Sequence, residues 1–297
     1  MLVLNNRILY RRILELARGN DRTVPTQDRA PTVQQSINKV GIEGLRTSIK
    51  VMRDGELFTY LTKIDISVDL SENKKGIHMS RLVESINECI TLKAGRTKTS
   101  LETLGAEVLM ELTRRHPFKS AEIIISTTLV LERSTPISKK PTYESYDVVA
   151  KVTWSKKMLR KYLEATVIGN TLCPHSLEVT GGKAHIQRCE LKLGFDVKID
   201  EDLPFEKLIE ICEMSFSSPT FTVLKTVDEA HLVEQMFANP MFVEDVSRQC
   251  LDRVIGLSIE GSVLIKATSF ESIHKHDAVA EIRRVLKMNK DGSIDAQ

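Results

Sequence analysis

The chain reads as an α+β protein made of two tandem ββααββ modules, with antiparallel sheets and paired helices on one face. Three observations predict this. Long stretches alternate apolar and polar residues with period two, as in Leu57–Leu70, where Ile64, Ile66 and Val68 share a face. Other stretches have the helical period, as with Leu82, Val83, Ile86 and Ile90. The order strand, strand, helix, helix, strand, strand returns in outline in the second half, without residue-level repetition. Helices over one face leave the other wet or covered, and a barrel closed by several subunits is one way to cover it and remove free edges.

In order, residues 1–33 read as a basic leader helix, MLVLNNRILYRRILELARGN, and a polar linker, DRTVPTQDRAP. The first module spans 34–156. Arg46–Arg53 and Leu57–Leu70 form a hairpin across Asp54–Gly55, and a helix follows from Ser80. A loop near Gly95 leads to a second helix with Ser100 as N-cap, its stripe being Leu101, Leu104, Val108, Leu109 and Leu112. Ala121–Glu132 and Tyr143–Trp154 are the next strands. The second module spans 157–297. Leu159–Gly169 and Cys189–Ile199 are strands; Leu203–Phe216, Asp228–Phe237 and Pro240–Ile255 are helices; Leu257–Ala267 and Ala278–Leu286 close the sheet.

A formal net charge of +2 over 297 residues leaves no positive excess for phosphate neutralisation, so nucleic acid is not an expected partner. No apolar run is long enough to span a membrane, and the start lacks a signal-peptide core, so a cytoplasmic protein is expected. Five scattered cysteines form no disulfide framework; Cys89, Cys212 and Cys250 sit in apolar helical patterns and read as buried hydrophobes.

The richest chemistry lies in Thr171–Arg188, TLCPHSLEVTGGKAHIQR. Cys173, His175 and His185 flank a Gly181–Gly182 turn; they can converge on a divalent metal, or belong to a polar surface loop. Asp228–Glu229 opens a helix, where a carboxylate complements the dipole or serves a site. Glu244 and Asp245 begin another helix beside Phe242, Val243 and Val246, which read as buried; these acids either meet solvent or reach a ligand's N–H groups. In ESIHKHDA, His274 and His276 share one face of an extended segment, with Glu271 just before, and suit a ligand and proton-shuttle pair. In KKGIHMSR, Lys75, His78, Ser80 and Arg81 at a helix start suit phosphate oxygens, or make an ordinary basic loop.

Five motifs in order, NKVGIEGLR, KKGIHMSR, TLCPHS with AHIQR, FTVLKTVDEAHLVEQMFANPMFVEDV and ESIHKH, resemble the type IB GTP cyclohydrolase family, leaning to its archaeal methanopterin-pathway branch. The resemblance spans about Ile37 to Glu281. It implies a tunnelling-fold homo-oligomer, a tetramer or similar, with GTP bound between subunits and one divalent metal per subunit, Fe2+ favoured over Zn2+ or Mn2+. It implies Cys173, His185, Glu229 and His274 as metal ligands, most of the site therefore lying in the second module, and Glu244 as the anchor for the guanine N–H groups. Gln187 and Arg188 fall in the family's HNQR motif as substrate contacts, and Glu271, His276, Cys173 and His185 carry the chemistry. The implied reaction is hydrolysis at C8, release of formate and closure of a dihydroneopterin phosphate, cyclic in the archaeal branch and a triphosphate in the bacterial one. Two departures stand out: His175 replaces the second Cys of a CPC motif, and Ile186 replaces the Asn of HNQR. Two rival readings are a structural metal site in a non-catalytic oligomer, and a purine- or pterin-binding relative with different chemistry.

Overall fold

The computed structural model describes residues 24–53, 55–91, 100–289 and 293–297. The expected leader helix, Asp54 of the first turn and the loop near Gly95 lie outside them. The period-two stretches become strands of one antiparallel sheet. Its first half is β1 (Ile37–Arg53), β2 (Glu56–Leu70), β3 (Ser120–Ser134) and β4 (Pro141–Ser155), with α1 (Met79–Thr91) and α2 (Leu101–Arg115) between β2 and β3. Its second half is β5 (Met158–Leu172), α3 (Pro174–Val179), β6 (Ile186–Lys198), α4 (Phe205–Glu213), β7 (Ser218–Pro219), α5 (Thr226–Ala238), α6 (Val243–Ile255), β8 (Gly261–Ser269), β9 (Ala278–Met288) and β10 (Ile294–Ala296). Sheet order follows chain order from β1 to β10, except that β7 leaves the path and pairs with the end of β5.

Register explains why one face is dry. Ile123 stands opposite Val152, Ala150 opposite Leu163, Ala165 opposite Leu193, and Leu193 opposite Ile265. Each is buried, so the apolar set of one strand continues that of the next, and the register is fixed because a one-residue slip would turn it to solvent. The helices cover this face. On α2 the expected stripe of Leu101, Leu104, Val108, Leu109 and Leu112 is buried, and Gly105 lets the helix approach Val152 and Ile123. Ser100 caps α2 as expected, its hydroxyl accepting the Thr103 N–H at 3.2 Å. The opposite face is exposed within the single chain, as Tyr143, Ser145 and Asp147 on β4 show. The expected boundary at 156/157 falls on a two-residue turn, Lys156–Lys157, both at positive φ, joining the paired strands β4 and β5.

Three local expectations change. The Cys/His segment holds a six-residue helix, α3, which its turn-rich composition concealed. His274 and His276 lie in a bent connection, not a strand, because residues 270–277 must reverse the chain between antiparallel β8 and β9. Phe242 is 43% exposed while Val243 and Val246 are buried, since Phe242 precedes the first turn of α6 and escapes its inward stripe.

Candidate active site

The site begins where β5 ends. Cys173 is the N-cap of α3, its Sγ accepting the Ser176 N–H at 3.3 Å, with Pro174 at the first helical position, where a missing N–H costs nothing. Gly181 and Gly182, at φ +68 and +115, turn the chain back, and the Cys173 N–H then donates to the His185 carbonyl at 3.2 Å. The two expected donors across the turn are thus backbone neighbours. The Met241 N–H donates to the Leu172 carbonyl at 3.1 Å, which brings the start of α6, and Glu244 with it, to the same place. From the other side, the Phe270 N–H donates to the Arg188 carbonyl at 2.9 Å and fixes the connection that carries Glu271, His274 and His276.

These segments enclose a cavity of about 440 Å³. Cys173, His175, His185, Gln187, Glu244, Glu271, His274 and His276 line it, with Met241, Phe242, Val243, Ala278 and Val279 as an apolar wall. The His274 and His276 rings stack with centroids 5.3 Å apart. His185 Nδ1 is 2.8 Å from Gln187 Oε1 and 3.4 Å from Ser272 Oγ. Gln187 Nε2 donates to Glu271 Oε1 at 3.3 Å, and Ser269 Oγ donates to the same oxygen at 3.0 Å. Ser269 and Ser272 escaped the sequence reading; the only signal is their spacing around Glu271 in TSFES.

Other expected residues lie elsewhere. Glu229 is exposed in the first turn of α5 and lines no part of the cavity. Its neighbour Asp228 points inward: Oδ1 accepts the N–H groups of Ile137 and Ser138 at 2.9 and 2.8 Å, and Oδ2 the Ser138 hydroxyl and the Lys225 N–H at 2.6 and 3.0 Å. Burial pushes this carboxyl up, but the Ser138 hydroxyl and the N–H groups of Ser138, Ile137 and Lys225 outweigh that and hold it well below the ordinary carboxylate value. Asp228 therefore ties α5 to the β3–β4 connection. Arg188 is exposed and alternates with Gln187 along β6, so it too is outside the cavity.

Lys75, His78, Ser80 and Arg81 sit together at the start of α1, away from the cavity lining. Ser80 falls inside the first turn of α1, at the helix start expected from the sequence. Residues read as linker dock here. The Lys75 and Gly76 N–H groups donate to the carbonyls of Arg29 and Gln27 at 2.8 and 3.1 Å. Asp28 takes Lys74 Nζ at 3.0 Å and stands 3.2 Å from His78 Nε2; the Lys74 hydrogen bond, then that of His78, lowers its pKa. Among the described residues, the Lys75, Ser80 and Arg81 side chains have no hydrogen-bond or ion-pair partner.

Thiolate and imidazole donors suit a borderline-soft divalent ion, and Cys173, His185, His274 and His276 face one cavity. Among the described residues, however, no three Cys, His, Asp or Glu side chains are gathered closely enough to hold an ion. The donor chemistry fits; the expected shell with Glu229 is not assembled in the single chain.

No described helix is long and apolar enough to cross a membrane. The fold is similar to that of uricase from Arthrobacter globiformis, a tunnelling-fold-like protein, with a TM-score of 0.52 at 8% identity over 86% of this chain and 95% of that one; at such identity the likeness concerns the fold alone. The chain is 42% identical to GTP cyclohydrolase MptA of Pyrococcus furiosus (strain ATCC 43587 / DSM 3638 / JCM 8422 / Vc1) over 265 residues, 88% of this chain and 99% of the relative. It is 35% identical to GTP cyclohydrolase FolE2 of Dictyoglomus turgidum (strain DSM 6724 / Z-1310) over 252 residues, 84% of this chain and 93% of that one. Residues 25–280 match the family described as type I GTP cyclohydrolase folE2, which replaces the expected label of type IB. The chain belongs to the type I GTP cyclohydrolase folE2 family.

Proposed function

We propose that this chain is a GTP cyclohydrolase of pterin biosynthesis, opening the guanine imidazole ring at C8, releasing formate and closing a 7,8-dihydroneopterin phosphate. The observation that carries the reading is one cavity, in a member of this family, that joins Cys173 and four histidines to two carboxylates and an apolar wall. Glu244 accepts the N1–H and 2-amino N–H of guanine, a two-point contact that a carboxylate makes with good geometry. Met241 and Val243, both buried, keep bulk water from the base. Cys173 Sγ, His185 and His274 would hold a divalent ion, Fe2+ being favoured over Zn2+ and Mn2+. Glu229, which lines no part of this cavity, would be the fourth ligand only if brought to it by assembly or movement of α5. When bound, such an ion supplies Lewis-acid polarisation and makes hydroxide available near neutral pH. His276 takes the proton of the water that adds at C8 and returns it to the ring nitrogen as the C–N bond breaks.

None of Lys75, His78, Ser80 and Arg81 lines this cavity. If they bind the phosphates of the same GTP, they come from another copy of the chain. That consideration favours two modules per chain assembling into a closed homo-oligomer, a tetramer in our reading, which would also cover the exposed sheet face. The product we favour is the cyclic phosphate, which the resemblance of the motifs to the archaeal branch implies. The alternative is the same chemistry ending in the triphosphate. The test is anaerobic incubation with GTP and Fe(II), formate assay, fluorescence of the oxidised pterin and mass analysis of its phosphates. Equimolar formate and pterin are expected, with a cyclic phosphate mass; intact GTP would overturn the activity, and a triphosphate mass the product.

A further inference from the structure

We infer that Gln187 and Glu271 are positioning residues that fix His185 in one tautomer, with the proton on Nδ1 and the lone pair on Nε2. The inference follows from donor and acceptor chemistry alone. A carboxylate only accepts, and Glu271 Oε1 already takes the Ser269 hydroxyl at 3.0 Å. The Gln187 side-chain amide stands 3.3 Å from that same oxygen, so it must face Glu271 with its NH2 group. Its carbonyl oxygen is thereby turned the other way, to His185 Nδ1 at 2.8 Å. A carbonyl oxygen cannot donate, so Nδ1 must carry the proton. Neutral imidazole carries one ring proton, and Nε2 is left bare. Ser272 Oγ, 3.4 Å from Nδ1, adds a weaker acceptor on the same side.

This tautomer is the less common one for a histidine free in water, so the fold selects it. Bare Nε2 is what a metal ligand or a proton acceptor requires, and a partner on the remote nitrogen both orients the ring and raises its basicity. Gln187 is thus assigned to holding His185, in place of the substrate contact its motif suggested. The use of the bare nitrogen rests on the function proposed above; the tautomer itself does not.

The test is nitrogen-15 NMR of the histidine rings in the full chain with and without Zn(II), at about pH 8.5, above the ordinary histidine pKa. His185 is expected to show a protonated Nδ1 and a pyridine-type Nε2. Gln187→Leu is expected to release the ring towards Nε2–H and to weaken Zn(II) binding, read by chelator competition, by about 10–100-fold. Combining Gln187→Glu with Glu271→Gln reverses the polarity of the pair: the new carboxylate accepts from Nδ1 and the new amide donates to it. The native tautomer and Zn(II) affinity are expected to return in that double variant, which keeps both side-chain volumes and decides the matter if Gln187→Leu does not fold. A wild-type ring with its proton on Nε2, an unchanged tautomer in Gln187→Leu, or no recovery in the double variant overturns the inference. No GTP is used, so a chain with the expected tautomer that leaves GTP intact contradicts the functional reading and not this one.

Discussion

Gly169 tests how the strand leading to Cys173 is held. A Cβ built there would lie 2.2 Å from Cγ and Cδ2 of Phe216, whereas carbon atoms rest about 3.5–4.0 Å apart, so the ring would have to retreat by roughly 1.3 Å. It has nowhere to go. Phe216 is buried, its carbonyl accepts Asn239 Nδ2 at 3.2 Å, and the next N–H, of Ser217, donates to the Asn170 carbonyl at 3.0 Å. Overpacking of this kind costs about 1–3 kcal/mol, and the pinned backbone argues for the upper end. A stiffer unfolded chain returns about 0.4–1 kcal/mol. The net loss for Gly169→Ala is then about 2 kcal/mol, or roughly 3 °C in Tm for a chain of this length. Thermal and urea unfolding followed by circular dichroism measure it. In a Phe216→Leu background the same substitution should cost less, with a coupling of about 0.5–3 kcal/mol. A Tm unchanged by Gly169→Ala, or an equal loss in both backgrounds, refutes the steric reasoning.

Four further outcomes follow, three of them from particular side chains. Asp228 has a lowered folded pKa, so its contribution to stability is complete above its ordinary value of 3.8 and is lost as pH falls through the folded value. Asp228→Asn should therefore be less stable at pH 7, with the urea midpoints of the two proteins converging in acid; a constant difference at every pH contradicts this. Cys173 is half-buried while Cys89, Cys189, Cys212 and Cys250 are buried, and burial pushes the Cys189 thiol up to about 12. Native-state thiol labelling should show one fast group, absent from Cys173→Ser, and a second equally fast thiol refutes it. Arg81→Ala should raise the KM for GTP far more than for guanosine, and equal effects contradict a phosphate role; light scattering should show a closed multimer at micromolar concentration, and an active monomer contradicts a site shared between copies.

Much of the fold was legible because strand and helix periods are local. The stripe of α2, its Ser100 cap and the alternation of β2 depend on neighbours a few residues away, and they form as read. So did the meeting of Cys173 with His185, since a Gly-Gly turn at positive φ is a short-range signal. What the sequence hid was set by long-range contacts. Asp228 and Glu229 look interchangeable in TVDEAH, yet only Asp228 faces the N–H groups of Ile137 and Ser138, some ninety residues away. Asp28 looked like linker, and its salt bridge to Lys74 depends on how β1 and β2 return the chain. The order of hydrogen bonds from Ser269 through Glu271 and Gln187 to His185 joins two adjacent strands and cannot be read from spacing.

The central claim is that the Cys173–His185 cavity binds a metal and opens GTP. Bound metal and formate release measured side by side on wild type, Cys173→Ser and His276→Ala test it most directly. Cys173→Ser removes the thiolate and should lose both metal and turnover, without rescue by excess Fe(II) or Mn(II). His276→Ala should keep its metal and lose turnover by about 10²–10⁴-fold, as removal of a proton shuttle does. Full metal content and full formate release from Cys173→Ser would contradict the account.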